Sequence, residues 1–446
     1  MSVSTHAEAS TPSGRRGRGL SVAVTVATAL VLAACSSGGS SSPSSSASSS
    51  SSSSSSASTG SVTDLVAYTG GKAGAADNSQ TPVTVGWFNQ QGGPLGFPAG
   101  TQGAEAAVKY VNTQLGGIGG HPLKLSSCFV VQSEQEGNAC GLKFANDSSV
   151  KAVLYGTAIF GDQAAQAVLK GSKPILMANS ISPVDGAAAN VYIYNGNPSS
   201  IFGGLTTYLV SEVKAKNVSI IYPQDAQSTA GAEVLKASLS ASGVTVKAVG
   251  FDPATTNLTA AATAAGVLTA DAVVPLVSTP PACVAAANAL KTLNVKAPVV
   301  STGSFCFTPP VAQGLGGDSP LWNQLSTQAN VADTNEPDVQ AYIKQSAEAG
   351  LSPQVQTDSN AALAWGLVMT AARFLNGGGG ATATAETIAS QAKSFTGPML
   401  LGPAKIACGT YPTQAGLCGF QTRVFKHTGG NSFTAATDWM DPTGVK

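Results

Sequence analysis

From Thr81 onward the chain alternates short β-branched runs with longer amphipathic stretches, which restricts it to parallel sheets covered by helices. Val83–Phe88 reads as a strand, and in Ala99–Leu115 the residues Ala104, Ala107, Val108, Val111 and Leu115 share one helical face. Further strands are predicted at Leu123–Ser127, Ala152–Tyr155, Pro174–Met177, Val218–Tyr222, Val244–Phe251, Ala272–Leu276 and Pro298–Ser301. Helices are predicted between them at Glu136–Asn146, Ile201–Lys214, Ala230–Ala241, Leu258–Ala265 and Ala282–Leu290. Residues 81–198 and 199–329 thus read as two similar αβ units. Later helices at Val339–Gly350, Ser359–Leu375 and Thr384–Ala392 must return to one of them. The run Gly377–Gly380 stops a helix; it lacks the preceding strand and following helix of a phosphate-cradling loop. Ligands of such sheets sit beyond the carboxyl ends of the strands, so two facing units place a site in the cleft between them.

The amino terminus specifies a compartment. Arg15, Arg16 and Arg18 precede an uncharged stretch from Leu20 that ends in Leu32-Ala33-Ala34-Cys35. The stretch is about fifteen residues, shorter than the roughly twenty that cross a bilayer as a helix, and small residues precede the cysteine as a signal peptidase requires. Residues 1–34 are therefore read as a lipoprotein signal peptide, and Cys35 as the lipidated first residue of the mature chain. The chain would then be held on the outer face of a bacterial membrane by lipid alone. Export by the general or the twin-arginine route stays open, because Gly17 follows Arg15 and Arg16 where a fuller motif is wanted. Residues 35–80, with Ser48–Ser56 unbroken, are expected to form a disordered tether, since they offer little apolar surface to offset the entropy of ordering.

Cysteine and charge narrow the chemistry. Of 7 cysteines, lipidation of Cys35 leaves Cys128, Cys140, Cys283, Cys306, Cys408 and Cys418, and export permits disulfides. Fifteen pairings are open in principle; closeness in sequence favours Cys128–Cys140, Cys283–Cys306 and Cys408–Cys418. No metal site or other cofactor is expected: there is no CxxC, and the 3 histidines, His6, His121 and His427, lie far apart. Without the leader, the 23 basic and 23 acidic side chains lose Arg15, Arg16, Arg18 and Glu8, leaving 20 and 22. Both signs are scattered, so no basic stripe for nucleic acid exists.

The order and spacing of several segments resemble the type I periplasmic-binding fold, specifically solute-binding proteins of branched-chain amino acid ABC transporters. Gly92-Gly93-Pro94, Gly103-Ala104, Tyr110-Val111-Asn112, Gly116-Gly117-Ile118-Gly119-Gly120 and Leu123 follow the family's opening. Gly156 after the third strand, Pro174-Ile175-Leu176 with Ser180, Ser182 and Pro183, and the strand Val218–Tyr222 continue the likeness, which spans nearly all of residues 81–446. The resemblance implies two Rossmann-like lobes joined by three crossovers, near Asn197, Asn330 and Pro398, that close around a ligand and present it to a permease. Lobe I would comprise residues 81–198 and 330–397, and lobe II residues 199–329 and 398–446, acting as a monomer.

The resemblance also assigns a site. Amino-acid receptors of this family hold the ligand carboxylate with hydroxyl and N–H groups after the third and fourth strands, and the ammonium with an acid from the second lobe. Here the third strand leads into Thr157-Ala158-Ile159-Phe160, where Thr157 alone supplies a hydroxyl, and Ser180 and Ser182 follow the fourth. In the second lobe the corresponding positions are Gln227 and Ser228 after Asp225, and Ser304 and Phe305 within Thr302-Gly303-Ser304-Phe305, where no carboxylate stands. A buried ammonium without a counter-charge costs several kcal/mol. With Phe97, Phe160 and Phe305 near the expected cleft, the expected ligand is aromatic, neutral or weakly polar and not a standard branched-chain amino acid. The same aromatics also suit a packed core, and the same hydroxyls suit helix caps. A hydrolase needs a nucleophile with a base, and Gly303-Ser304-Phe305 lacks the second glycine of a nucleophile elbow. A ligand sensor or surface-interaction lipoprotein of the same fold stays open as the alternative.

Overall fold

The computed structural model describes residues 61–93 and 96–442; the leader, Cys35 and the serine tract lie outside the described residues. Strands β1 (Val83–Gln90), β2 (Leu123–Val130), β3 (Val150–Tyr155), β4 (Ile175–Met177) and β5 (Val191–Ile193) form a sheet in the order β2-β1-β3-β4-β5, every pairing parallel. Strands β6 (Asn217–Pro223), β7 (Thr245–Phe251) and β8 (Ala272–Pro275) pair in parallel in the order β7-β6-β8. Beyond them β9 (Val300–Thr302), β10 (Asn323–Ser326), β11 (Arg423–Gly429) and β12 (Ser432–Ala435) pair in sequence, the last two pairings antiparallel. A parallel bridge from Val273 to Val299 joins β8 to the start of this set.

The two-residue period of a strand explains why the first sheet is covered on both sides. Val83, Val85 and Trp87 of β1, Leu154 of β3 and Leu176 of β4 point into one core, shared with the helices Pro98–Gln114 and Ser359–Gly377. Their neighbours Phe88, Val153, Tyr155, Ile175 and Met177 point into the other, closed by Cys140, Phe144, Ala165 and Leu169. Around β6 and β8 the same division holds, with Ile221 and Val273 on one face and Val218, Ile220, Ala272 and Val274 on the other.

Local chemistry fixes where the helices begin. Ser133 and Glu136 form a capping box at the Glu134–Asn146 helix, and Glu136 also accepts from the N–H groups of Val131 and Gln132 at 3.0 Å each. The hydrogen bonds donated by those backbone N–H groups hold its carboxyl down at about 2. The helices Pro98–Gln114 and Ser359–Gly377 touch where Gly103 faces Ala361; a Cβ on Gly103 would lie 2.7 Å from the Ala361 Cα. The cysteines pair as Cys128–Cys140, Cys283–Cys306 and Cys408–Cys418.

Three expectations require correction. Residues 62–80 are not part of a disordered tether: Val62, Leu65 and Tyr68 are buried in the first core, and Lys72, Gly74 and Ala76 donate backbone hydrogen bonds to Leu115, Gln114 and Asn112. Apolar side chains in an otherwise polar stretch supply that burial. The chain also does not leave the first sheet at Pro398. Met399, Leu400, Leu401, Ile406 and Cys418 enter one of its cores, Tyr411, Leu417 and Phe420 the other, and Leu417 bridges Ile193 along the β5 edge. The passage to β11 falls at Gln421–Arg423. Finally, β5 and β10–β12 add strands that the sequence pattern did not predict.

Near Asn197 the chain passes from β5 to the helix Pro198–Thr207, which packs with β10, and Asn197 caps that helix while donating to Gln414 at 2.6 Å. After β10 it returns through Asn330. Arg423 of β11 is paired with Glu336 at 2.9 Å, tying the second and third passages together, with both side chains largely buried.

Candidate functional site

A hollow lies at the carboxyl ends of β3 and β4, lined by Tyr155, Gly156, Thr157, Ala158, Asp162 and Ser180 among others, with room for about one water molecule, 10 Å³. Thr157, Ala158 and Ser180 are the sequence-predicted residues that it gathers. Their side chains face it because β3 and β4 are adjacent and parallel, so the loops that follow them leave the sheet at the same end.

Hydrogen bonding around the hollow is largely internal. The Thr157 N–H donates to Asn89 Oδ1 at 3.1 Å, and its hydroxyl donates to Asn360 Oδ1 at 2.7 Å. Asn360 begins the Ser359–Gly377 helix, capped by Asp358. Phe97 contributes through its carbonyl, which accepts from Asn89 Nδ2 at 3.0 Å, while its ring is half-buried. The Ser180 hydroxyl stands 2.6 Å from Asp185 Oδ2 and 2.7 Å from the Ser182 carbonyl. Ser182 lies one step out: its N–H donates to Ser180 Oγ at 3.0 Å and its own Oγ accepts from Gln163 at 3.0 Å. Phe160 is half-buried and does not line the hollow.

Behind the hydroxyls sits a carboxyl pair that sequence reasoning missed. Asp162 and Asp185 are 6% and 0% exposed, and the charge of Asp185 acts on Asp162. Burial, and then the charge of Asp185, push the Asp162 carboxyl up to about 7. Tyr155 is fully buried between them and the stacked ring of Phe88, and its hydroxyl has no hydrogen-bond partner. The sequence offers no signal for Asp162, a lone acid after Gly161; only its neighbours in space reveal a buried acid. No group of three or more metal-ligating side chains occurs among the described residues.

The second-lobe candidates are not drawn to this hollow. Ser228 donates its hydroxyl to Asp225 Oδ2 and its N–H to Oδ1, both at 2.8 Å, so that Asp225 caps the helix Ala226–Ala241; Gln227 is exposed beside it. Ser304 and Phe305 follow β9 and are exposed, Phe305 by 51%. A large aromatic ring left in solvent at a strand's carboxyl end is unusual for a packed core.

With two doubly wound sheets and a hollow at strand carboxyl ends described, comparison with known proteins decides the family. The profile of the periplasmic binding protein family matches residues 82–424. The chain belongs to that family. No curated protein sequence matches it significantly. Among solved structures it is similar to a leucine-binding protein from Thermotoga maritima, at 14% identity and TM-score 0.61, covering 81% of this chain and 99% of the other. The isoleucine-bound branched-chain amino acid transporter substrate-binding protein of Streptococcus pneumoniae matches at 18% identity and TM-score 0.60, over 81% and 100%. An R. palustris ABC-transporter solute-binding protein with 4-hydroxybenzoate matches at 14% identity and TM-score 0.64, over 82% and 98%. The shared fold of this periplasmic binding protein is therefore the type I arrangement. None of its described helices is long and apolar enough to cross a membrane.

Proposed function

We propose that this periplasmic binding protein captures a small molecule between two lobes outside the cytoplasm and delivers it to an ABC-type permease, without transforming it. The hollow at the β3 and β4 carboxyl ends carries this reading, because it combines a buried, unpartnered hydroxyl with the loop position where ligands of doubly wound sheets bind. Lobe I comprises about residues 62–196 and 330–420, and lobe II about 197–329 and 421–442. The ligand side of lobe II is formed by Gln227, Ser228, Ser304 and Phe305, and closure brings Phe305 over the hollow. Relatives in the same fold hold both an aliphatic amino acid and an aromatic acid, and the exposed Phe305 supports an aromatic or weakly polar ligand over a branched-chain amino acid. Cys35 carries the lipid that keeps the monomeric protein at the outer face of the membrane.

Native mass spectrometry of the purified chain tests capture. A co-purified solute, whose removal expands the protein in X-ray scattering and whose return compacts it, is the expected result. Absence of any solute, together with a radius of gyration unmoved by amino acids, aromatic acids and amides, refutes the reading. Cys35→Ser is expected to release the protein from membranes into the medium.

A further inference from the structure

We infer that Asn89 and Gln90, at the carboxyl end of β1, are positioning residues of the ligand site: they hold the loop after β3 so that the Ala158 N–H points into the hollow before any ligand arrives. This rests on the capture reading above and identifies what prepares the capturing surface.

Neither side chain reaches the hollow. Both are 0% exposed, and neither is among its lining residues. Each nonetheless grips the loop. Asn89 Oδ1 accepts from the Thr157 N–H at 3.1 Å and Gln90 Oε1 from the Ile159 N–H at 2.7 Å, while Glu134 Oε1 takes the Gly161 N–H at 2.9 Å. The two amides cannot turn over. Asn89 Nδ2 donates to the Phe97 carbonyl at 3.0 Å and Gln90 Nε2 to the Val131 carbonyl at 3.1 Å, and a carbonyl can only accept. Each side-chain oxygen is thereby left facing the loop. Gly156 keeps this approach open, because a Cβ there would run into Asn89 Oδ1 and come within 2.9 Å of the Trp87 ring.

The backbone then sets the direction of the next donor. The Gln90 N–H donates to the Thr157 carbonyl at 3.0 Å, so that carbonyl points toward β1. The Thr157–Ala158 peptide is trans, and the N–H of a trans peptide points opposite to its carbonyl. The Ala158 N–H is therefore aimed away from β1, toward the β4 side. There the hollow lies, between Gly156, Ala158, Met177, Asn179 and Ser180. Among the described residues no group accepts from this N–H, although Ala158 is only 8% exposed. Orphaned buried N–H groups are rare, and this one opens on space for about one water beside the Tyr155 hydroxyl, which also lacks a partner. Two unspent donors thus share the hollow, and Gln90 fixes the direction of one of them.

Hydrogen exchange and 15N relaxation, read by NMR at pH 5 on the purified chain with no ligand added, test this geometry. Thr157 and Ile159 are expected to exchange roughly tenfold or more slowly than Ala158 between them, as amides with and without a protein acceptor do. Gln90→Met keeps the length of the side chain and removes both polar atoms. It is expected to speed Ile159 exchange roughly tenfold and to lower the order parameter of the Ala158 amide from about 0.85 to below about 0.6. Leu154 and Ser180 are expected to keep their wild-type order, which separates lost positioning from general loosening. Gln90→Glu, whose buried carboxyl is neutral at this pH, offers the same acceptor and one donor and is expected to restore both values. Gly156→Ala displaces Asn89 Oδ1 and is expected to free Thr157 in the same way. Uniform exchange across residues 157–159, wild-type order at Ala158 in both Gln90→Met and Gly156→Ala, order lost equally at Leu154 and Ser180, or no recovery in Gln90→Glu each overturn the inference. These readouts need no ligand, so they can fail while capture stands. An absent solute and an unmoving protein sink capture and leave the clamp on the loop untouched.

Discussion

Replacing Tyr68 by alanine tests whether residues 62–80 belong to the folded first lobe. Its ring is buried edge-on to Phe395 with centroids 6.5 Å apart, and the Arg373 guanidinium lies 5.5 Å from its centroid. Its hydroxyl meets Thr370 Oγ1 at 2.8 Å and accepts from the Leu400 N–H at 3.4 Å. Truncating a buried aromatic costs about 3–5 kcal/mol. The lost cation–π contact and the stranded Leu400 N–H add about 1 kcal/mol more. For lobes of this size about 4 kcal/mol corresponds to a fall in Tm on the order of 10 °C. Tyr68→Phe removes only the hydroxyl and is expected to cost about 1 kcal/mol, since Thr370 still donates to the Gly366 carbonyl at 2.8 Å. Urea denaturation followed by near-UV circular dichroism measures both. A Tyr68→Ala protein within about 0.5 kcal/mol of the wild type refutes the packing account of this segment.

Other consequences follow from contacts already described. Gly103→Ala forces the Pro98–Gln114 and Ser359–Gly377 helices apart and is expected to destabilise the chain by about 2 kcal/mol or more in the same assay, against the usual gain from replacing a helical glycine. Glu336→Ala leaves the Arg423 guanidinium buried without its counter-charge and is expected to cost about 3 kcal/mol, read as a lower urea midpoint. Burial pushes the carboxyls of Asp162 and Asp338 up to about 7 and about 6, with Asp185 and Glu336 adding to the respective shifts. Folded-state values above the unfolded ones mean that their stabilisation is complete below about pH 4 and is lost as pH rises toward 7. Urea midpoints between pH 4.5 and 7.5 should show this fall, and Asp162→Asn should flatten it; an equal slope in that variant would refute the assignment.

The fold was legible where burial makes a sequence monotonous. The strands β3, β6 and β8 are rich in Val, Ile and Leu, and β1 adds Trp and Phe to its valines, because both of their faces are covered, and the Ser359–Gly377 helix is apolar almost all round for the same reason. By contrast, β10 reads Asn-Gln-Leu-Ser and β11 carries Arg, Lys and His, so their pairing depends on partners distant in sequence. The cysteine pairing followed from proximity. At the site, the hydroxyls after β3 and β4 were visible as residue types at strand ends. Asp162 and Asp185 were not, because a carboxylate at a helix start or in a turn has an ordinary solvent-facing explanation, and only the tertiary fold that buries both acids beside Tyr155 removes it. Asn360 escaped likewise: it lies some two hundred residues beyond Thr157 and meets it only through the returning helix.

That return of the chain governs the order in which the protein can be finished. The five strands of the first sheet are made early, yet the face bearing Val85, Trp87 and Leu154 is closed by the Ser359–Gly377 helix, and the β5 edge by the stretch ending at Phe420. A chain halted anywhere before those residues would hold a sheet with an open apolar face and an unfinished edge. Synthesis therefore runs past residue 420 before the first lobe is complete, and a premature stop after residue 330 would strand an aggregation-prone fragment in place of an independent domain.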